Sequence, residues 1–85
     1  MHGVELRARA ERDLAALSPA VTRRVLRAIA GLGDQPRPPG VQKLKAVDGY
    51  RIRVGDYRIV YEVDDRARRV IVVRVRHRRD VYRQQ

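Results

Sequence analysis

The sequence predicts an α+β domain: a small, largely antiparallel β-sheet with an N-terminal helical hairpin packed on one face. Three stretches carry that prediction. Residues 50–62 (YRIRVGDYRIVYE) alternate apolar and basic side chains on either side of Gly55-Asp56, a two-residue loop with glycine first, which suits a type II′ hairpin turn. Two segments with helical spacing precede it, and residues 69–77 (RVIVVRVRH) follow it as a further strand. The order strand, helix, helix, then three strands gives a helical pair that must cover one face of the sheet.

In chain order, residues 3–7 read as a short first strand with Val4 and Leu6 on one side. Residues 9–17 read as a helix through Ala10, Leu14 and Leu17. Ser18-Pro19 restarts the chain, because Ser is a favoured N-cap and Pro suits the first helical position. The second helix is predicted over 19–32, with Val21, Val25, Ile29 and Leu32 as its apolar stripe; Arg23, Arg24 and Arg27 lie off that stripe, and Gly31 and Gly33 are expected to end the helix. So short a link predicts antiparallel helices. Residues 34–40 (DQPRPPG) form a proline-rich loop within a single domain, residues 1–85. Residues 41–46 are ambiguous, with Leu44 expected to be buried between Lys43 and Lys45, and Asp48-Gly49 is a turn into the hairpin.

The II′ turn fixes a register: Val54 opposite Tyr57, Arg53 opposite Arg58, Ile52 opposite Ile59, Arg51 opposite Val60. Arg51, Arg53 and Arg58 then share one face, and Tyr50, Ile52, Val54, Tyr57, Ile59 and Tyr61 share the other. For the last strand the expected inward set is Ile71, Val73 and Val75, with Arg74, Arg76 and Arg78 joining the basic face. That choice needs an odd loop or a bulge between Asp64 and Arg69. Residues 79–85 form a short polar tail with one helical turn.

The composition limits function. Twenty basic residues face ten acidic ones, a net charge of +10, and eighteen of the twenty are Arg. Such a balance predicts attraction to nucleic acid, to an acidic protein partner, or to both. No cysteine is present, so disulfides and thiolate zinc sites are out of reach. No apolar run reaches the length of a signal core or a membrane span, which points to a cytoplasmic protein with no membrane partner. His2 and His77 have no carboxylate cluster around them, and Ser18 is needed as a helix cap; neither a metal site, nor a cofactor site, nor a hydroxyl nucleophile is expected.

Arg53 opposite Arg58 is informative, since like charges across a strand pair destabilise it. A basic face in a basic protein can simply be solvated; it can also bind a phosphodiester and stabilise charge developing on it. RNA supplies its own nucleophile, the 2′-OH, so a protein that holds it in line, neutralises the phosphorane and protonates the leaving 5′-oxygen needs no metal. His77 has two readings. Imidazole can act as acid or base near neutral pH, but alternation points it with Val75, away from the arginines. Tyr82 can stack on a base or serve proton transfer, or pack back on the sheet.

These residues together resemble the RelE family of bacterial toxins, within the RelE/ParE superfamily. The resemblance spans nearly the whole chain: AERDLAAL after the first strand, the proline-rich turn, YRIRVGDYRIVYEVDD, and a hydrophobic strand running into HRRDVYR. The pairing of G-[DS]-YR-[IL]-VY with a terminal H-R-x-[DE]-VY carries its specificity. The resemblance implies a small basic ribonuclease that enters the A site of the 70S ribosome and cuts mRNA with the message's own 2′-OH. It implies a RelB-like antitoxin from the same operon that masks the site and, through its own surface, holds operator DNA. By position it assigns catalytic roles to Arg51, Arg53, Arg58, Arg78 and Tyr82, with Arg79 as an alternative to Arg78; Lys43, Lys45, Arg74, Arg76, His77 and Arg79 are expected to bind RNA. Relatives commonly carry lysine at the positions of Arg51 and Arg53. Arginine does not give up its proton, so a general base must come from Tyr82 or His77, or the chemistry is mainly electrostatic. Two other classes compete: a ParE-like inhibitor of DNA gyrase, and a basic RNA- or partner-binding module without catalysis.

Overall fold

The computed structural model describes residues 1–45 and 48–79. Its elements are β1 (Gly3–Leu6), α1 (Ala8–Ala15), α2 (Pro19–Asp34), β2 (Gln42–Lys43), β3 (Tyr50–Val54), β4 (Tyr57–Asp64) and β5 (Arg69–His77). They build a five-stranded sheet in the order β1-β5-β4-β3-β2. Only β1 runs parallel to its neighbour; the other pairings are antiparallel. This is the α+β architecture expected, with the ambiguous segment contributing the short β2.

One face of the sheet buries the core. Ala10 and Leu14 of α1 and Val25, Ile29 and Leu32 of α2 meet Ile59, Tyr61, Val70, Val72 and Val75. α1 packs chiefly on β5, while α2 reaches β1, β3 and β5. Ser18 caps α2 as its sequence suggests, its Oγ accepting the Val21 amide at 3.4 Å. Tyr61 is fully buried and its hydroxyl donates to the Pro36 carbonyl at 2.6 Å, which ties the proline-rich loop to β4. Burial pushes the Tyr61 phenol up to about 12.

Two expectations need correction. The inward set of β5 is Val70, Val72 and Val75, not Ile71, Val73 and Val75. Asp64 pairs directly with Arg69 across a four-residue loop, so no residue is gained there. The register instead shifts between Val60 and Tyr61: Val60 faces Arg74 while Tyr61 faces Val72, leaving Val73 as the extra residue of a β-bulge. Before the bulge Ile71 is on the outer face beside Glu62 and Glu5; after it Val75 is inward and Arg74 and Arg76 outward.

The second correction concerns Gly31 and Gly33. Neither ends α2, which continues to Asp34. Gly33 is there for close approach. Its carbonyl accepts the His2 amide at 2.7 Å, and a Cβ at this position would lie 2.8 Å from the His2 carbonyl oxygen and 3.3 Å from Val4 Cγ2. Around Gly31 nothing among the described residues lies within 4 Å of that site. No helix among the described residues is long and apolar enough to cross a membrane.

The two glycines should therefore respond oppositely to alanine. Gly33→Ala is expected to destabilise by about 1–3 kcal/mol, since backbone must move. Gly31→Ala is expected to stabilise by about 0.5–1 kcal/mol through helix propensity alone. Urea melts of the two variants check the pair of signs.

Candidate functional site

The β3–β4 hairpin has the register its turn demands. Gly55 adopts φ +60°, as the first loop position of a type II′ turn requires, and Val54–Tyr57, Arg53–Arg58, Ile52–Ile59 and Arg51–Val60 are opposed. β5 extends all four rows, two of them on the outer face. Arg76 stands opposite Arg58, which stands opposite Arg53. Three arginines thus lie in line across adjacent strands on the outer face, with roughly 4.8 Å between strands. The neighbouring row reads Arg51–Val60–Arg74.

The rows are not uniform. Arg53 is exposed, whereas Arg51, Arg58 and Arg76 are half-buried. Arg51 donates through Nε to Oε1 of Gln42 at 2.8 Å, the residue beside it on β2. Arg51, Arg53 and Arg58 line a cleft of about 300 Å³ together with Gly40, Gln42 and Ile52. Arg74 turns off the face and pairs with Asp13 of α1, Nε to Oδ2 at 2.9 Å and Nη2 to Oδ1 at 3.2 Å; Oδ2 also accepts the Val75 amide at 2.8 Å. Burial pushes the Asp13 carboxyl up, but the bonds from Arg74 and Val75 and the charges of Arg74 and Arg76 outweigh it and hold the group below its usual value.

The remaining candidates scatter. Arg78 follows β5, exposed, and its amide donates to the Asp56 carbonyl at 2.8 Å, tying the strand end to the hairpin turn. His77 stands opposite Tyr57 on the core-facing side, the two rings edge to face with centroids 5.2 Å apart. Its Nδ1 lies 3.2 Å from the Arg79 amide, which donates to it. Lys43 opposes Tyr50 and so has the opposite parity to Gln42 and the arginine rows; Lys45 is exposed beyond β2. Tyr82 lies outside the described residues, as does the rest of the tail from residue 80. Gln42 and Asp13 carried no signal in the sequence, because the first depends on a two-residue strand and the second on a contact 61 residues away.

A second polar network holds the far end of the sheet. Asp65 accepts from Arg37 at 3.0 Å and lies 3.1 Å from His2 Nε2, while Arg37 also donates to the Tyr50 hydroxyl at 3.0 Å and covers its ring at 5.1 Å. The bonds from Arg37 and then His2 hold the Asp65 carboxyl low. Among the described residues no group of three or more His, Cys, Asp or Glu is placed to hold a metal ion. The arginine rows can bind phosphate and stabilise added negative charge; they offer no group that accepts a proton.

A two-helix, five-strand body with a guanidinium-lined sheet face defines the class: small toxins of type II toxin–antitoxin systems. The family model described as the ParE toxin of type II toxin–antitoxin system, parDE, matches residues 4–82, and the chain belongs to this family, within the RelE/ParE superfamily. Toxin RelG of Mycobacterium tuberculosis is 36% identical over 76 residues, 87% of each chain. The toxin–antitoxin complex RelBE2 of the same organism superposes with a TM-score of 0.81 at 28% identity, over 89% of this chain and 96% of that one. The archaeal RelE–RelB complex of Pyrococcus horikoshii gives 0.81 at 29% identity, over 91% and 94%.

Asp13 and Asp65 both titrate lower in the folded chain than unfolded, so each favours folding above the ordinary carboxylate value of about 3.9. That contribution is lost as pH falls through the lowered values. An acid titration followed by circular dichroism should show Asp13→Asn less stable at neutral pH and losing less stability on acidification than the parent chain.

Proposed function

We propose that this chain is a ribosome-dependent endoribonuclease that cuts mRNA in the A site without a metal. The row Arg53–Arg58–Arg76 carries the reading. The 2′-OH gives up its proton as its oxygen bonds to the adjacent phosphorus, a phosphorane forms, the P–O5′ bond breaks and the 5′-oxygen takes up a proton, so that one proton is lost and one gained and the products are a 2′,3′-cyclic phosphate and a 5′-OH. Arg58 and Arg76, opposed at the centre of the sheet, neutralise the phosphorane. Arg53 and Arg51 hold the flanking phosphate, Arg51 oriented by Gln42. Arg78, at the end of β5, is suited to the neighbouring phosphate, with Arg79, Lys43 and Lys45 adding a wider field. Arg74 is taken up by Asp13, and His77 by Tyr57 on the other side, so Tyr82 is the remaining proton carrier. The ribosome completes the site by fixing the in-line geometry. The work is done in the cytoplasm, where translated messages are.

Relatives of this fold crystallise as RelBE and RelE–RelB complexes, which supports a RelB-like antitoxin as partner here and operator DNA held through that antitoxin. A second reading, inhibition of DNA gyrase, is favoured by one observation: the matching family model is that of the ParE toxin. An outer arginine row has no task in that reading.

Primer extension on a message translated in a purified system tests the proposal. Stops at A-site codons are expected only with ribosomes present. Arg58→Ala and Arg76→Ala should each cut the rate by about 10²–10³-fold while folding and antitoxin binding persist. Association with ribosomes should weaken steeply with salt. Full toxicity in an Arg58→Ala, Arg76→Ala double variant would overturn the site, and loss of supercoiling without message cleavage would move the reading to gyrase.

A further inference from the structure

β1 stops at Leu6, opposite Val72, where the Arg7 amide closes the pairing on the Val72 carbonyl at 2.9 Å. From Val73 onward β5 has no strand on that side among the described residues. Its bulge sits at the same place, and β5 must re-establish its register against β4 immediately afterwards. A slip of one residue here would exchange Arg76 for an apolar neighbour on the outer face. The Asp13 side chain of α1 meets the strand at this point. Asp13 takes the Val75 amide and both the Nε and Nη2 of Arg74, and its carboxylate is mostly buried, 18% exposed. Its charge is also felt by Arg76, the next outward residue and the partner of Arg58.

We propose that Asp13 is the positioning residue of the arginine row: it locks β5 just past the bulge so that Arg76 faces Arg58, and it withholds one unit of positive charge from the RNA-binding face. This inference rests on the ribonuclease reading of that face. Asp13 touches no RNA. Its two effects act in opposite directions on the reaction, since the lock favours turnover and the negative charge weakens RNA binding.

Asp13→Asn removes the charge and weakens the lock, because an amide keeps one acceptor oxygen for the Val75 amide but cannot also hold Arg74 through two carboxylate oxygens. Binding is read on 70S ribosomes programmed with a message whose A-site nucleotides are 2′-deoxy and so cannot be cut; turnover is read on the ribose message. The variant should bind about two- to fivefold more tightly, the scale of one partly screened ion pair. Its maximal rate should fall about 10- to 100-fold from loosened geometry. KM and kcat thus fall together. Asp13→Glu restores the charge with a displaced carboxylate, and should return binding to the parent value while kcat stays low. A purely structural Asp13 would weaken binding and turnover in parallel, both following the loss of folded protein, and that result overturns the inference, as does parent-like behaviour of both variants. Arg58→Ala is the control. If it leaves binding and cleavage intact, the ribonuclease reading has failed; if it abolishes cleavage while the Asp13 variants behave as the parent, the positioning role alone has failed.

Discussion

A nine-residue strand in strict alternation cannot bury Val70, Val72 and Val75 on one face, because the first two have even parity and the last has odd. The bulge at Val73, opposite the Val60–Tyr61 step, resolves this and the rest of the molecule follows from it. Below the bulge, β5 closes the core against Tyr61, Val63 and the parallel β1. Above it, the same strand turns Val75 inward beneath α1 and sends Arg76 out beside Arg58. Without the extra residue, either the lower valines would face water or the guanidiniums would enter the core.

This explains which parts of the chain were legible. The hairpin was readable in full because a two-residue loop with glycine first leaves one register, and alternation then assigns every side chain to a face. Arg51, Arg53 and Arg58 were placed together on that ground. Arg76 is on the outer face as expected, but the odd loop or bulge expected between Asp64 and Arg69 is not there: that connection is even and the odd residue lies higher. The inward set therefore failed at Ile71 and Val73 while holding at Val75. Gly33 misled because glycine near a helix end usually marks termination. Only the fold shows that the His2 backbone needs its missing side chain. Gln42 and Asp13 depend on pairings between distant segments, which no local pattern encodes.

The chemistry of the site follows from what arginine cannot do. Its guanidinium holds phosphate in a planar fork and keeps its charge, but it neither accepts a proton nor leaves one behind. A row of such groups stabilises a charged intermediate and leaves proton movement to other groups. In the proposed ribonuclease, dependence on a larger assembly that aligns the substrate complements such a site, since geometry can replace much of what a general base would contribute.

The opposed arginines also bear on how such a protein can be lost. Arg53 facing Arg58 and Arg58 facing Arg76 cost the folded chain stability through mutual repulsion. Replacing one of them with a neutral residue relieves that repulsion and leaves the core, which lies on the other side of the sheet, intact. Under the ribonuclease reading, a substitution in the row that ends cleavage leaves the helices, the core and the surfaces away from the row in place. Such a copy would still present the rest of the body to whatever recognises it.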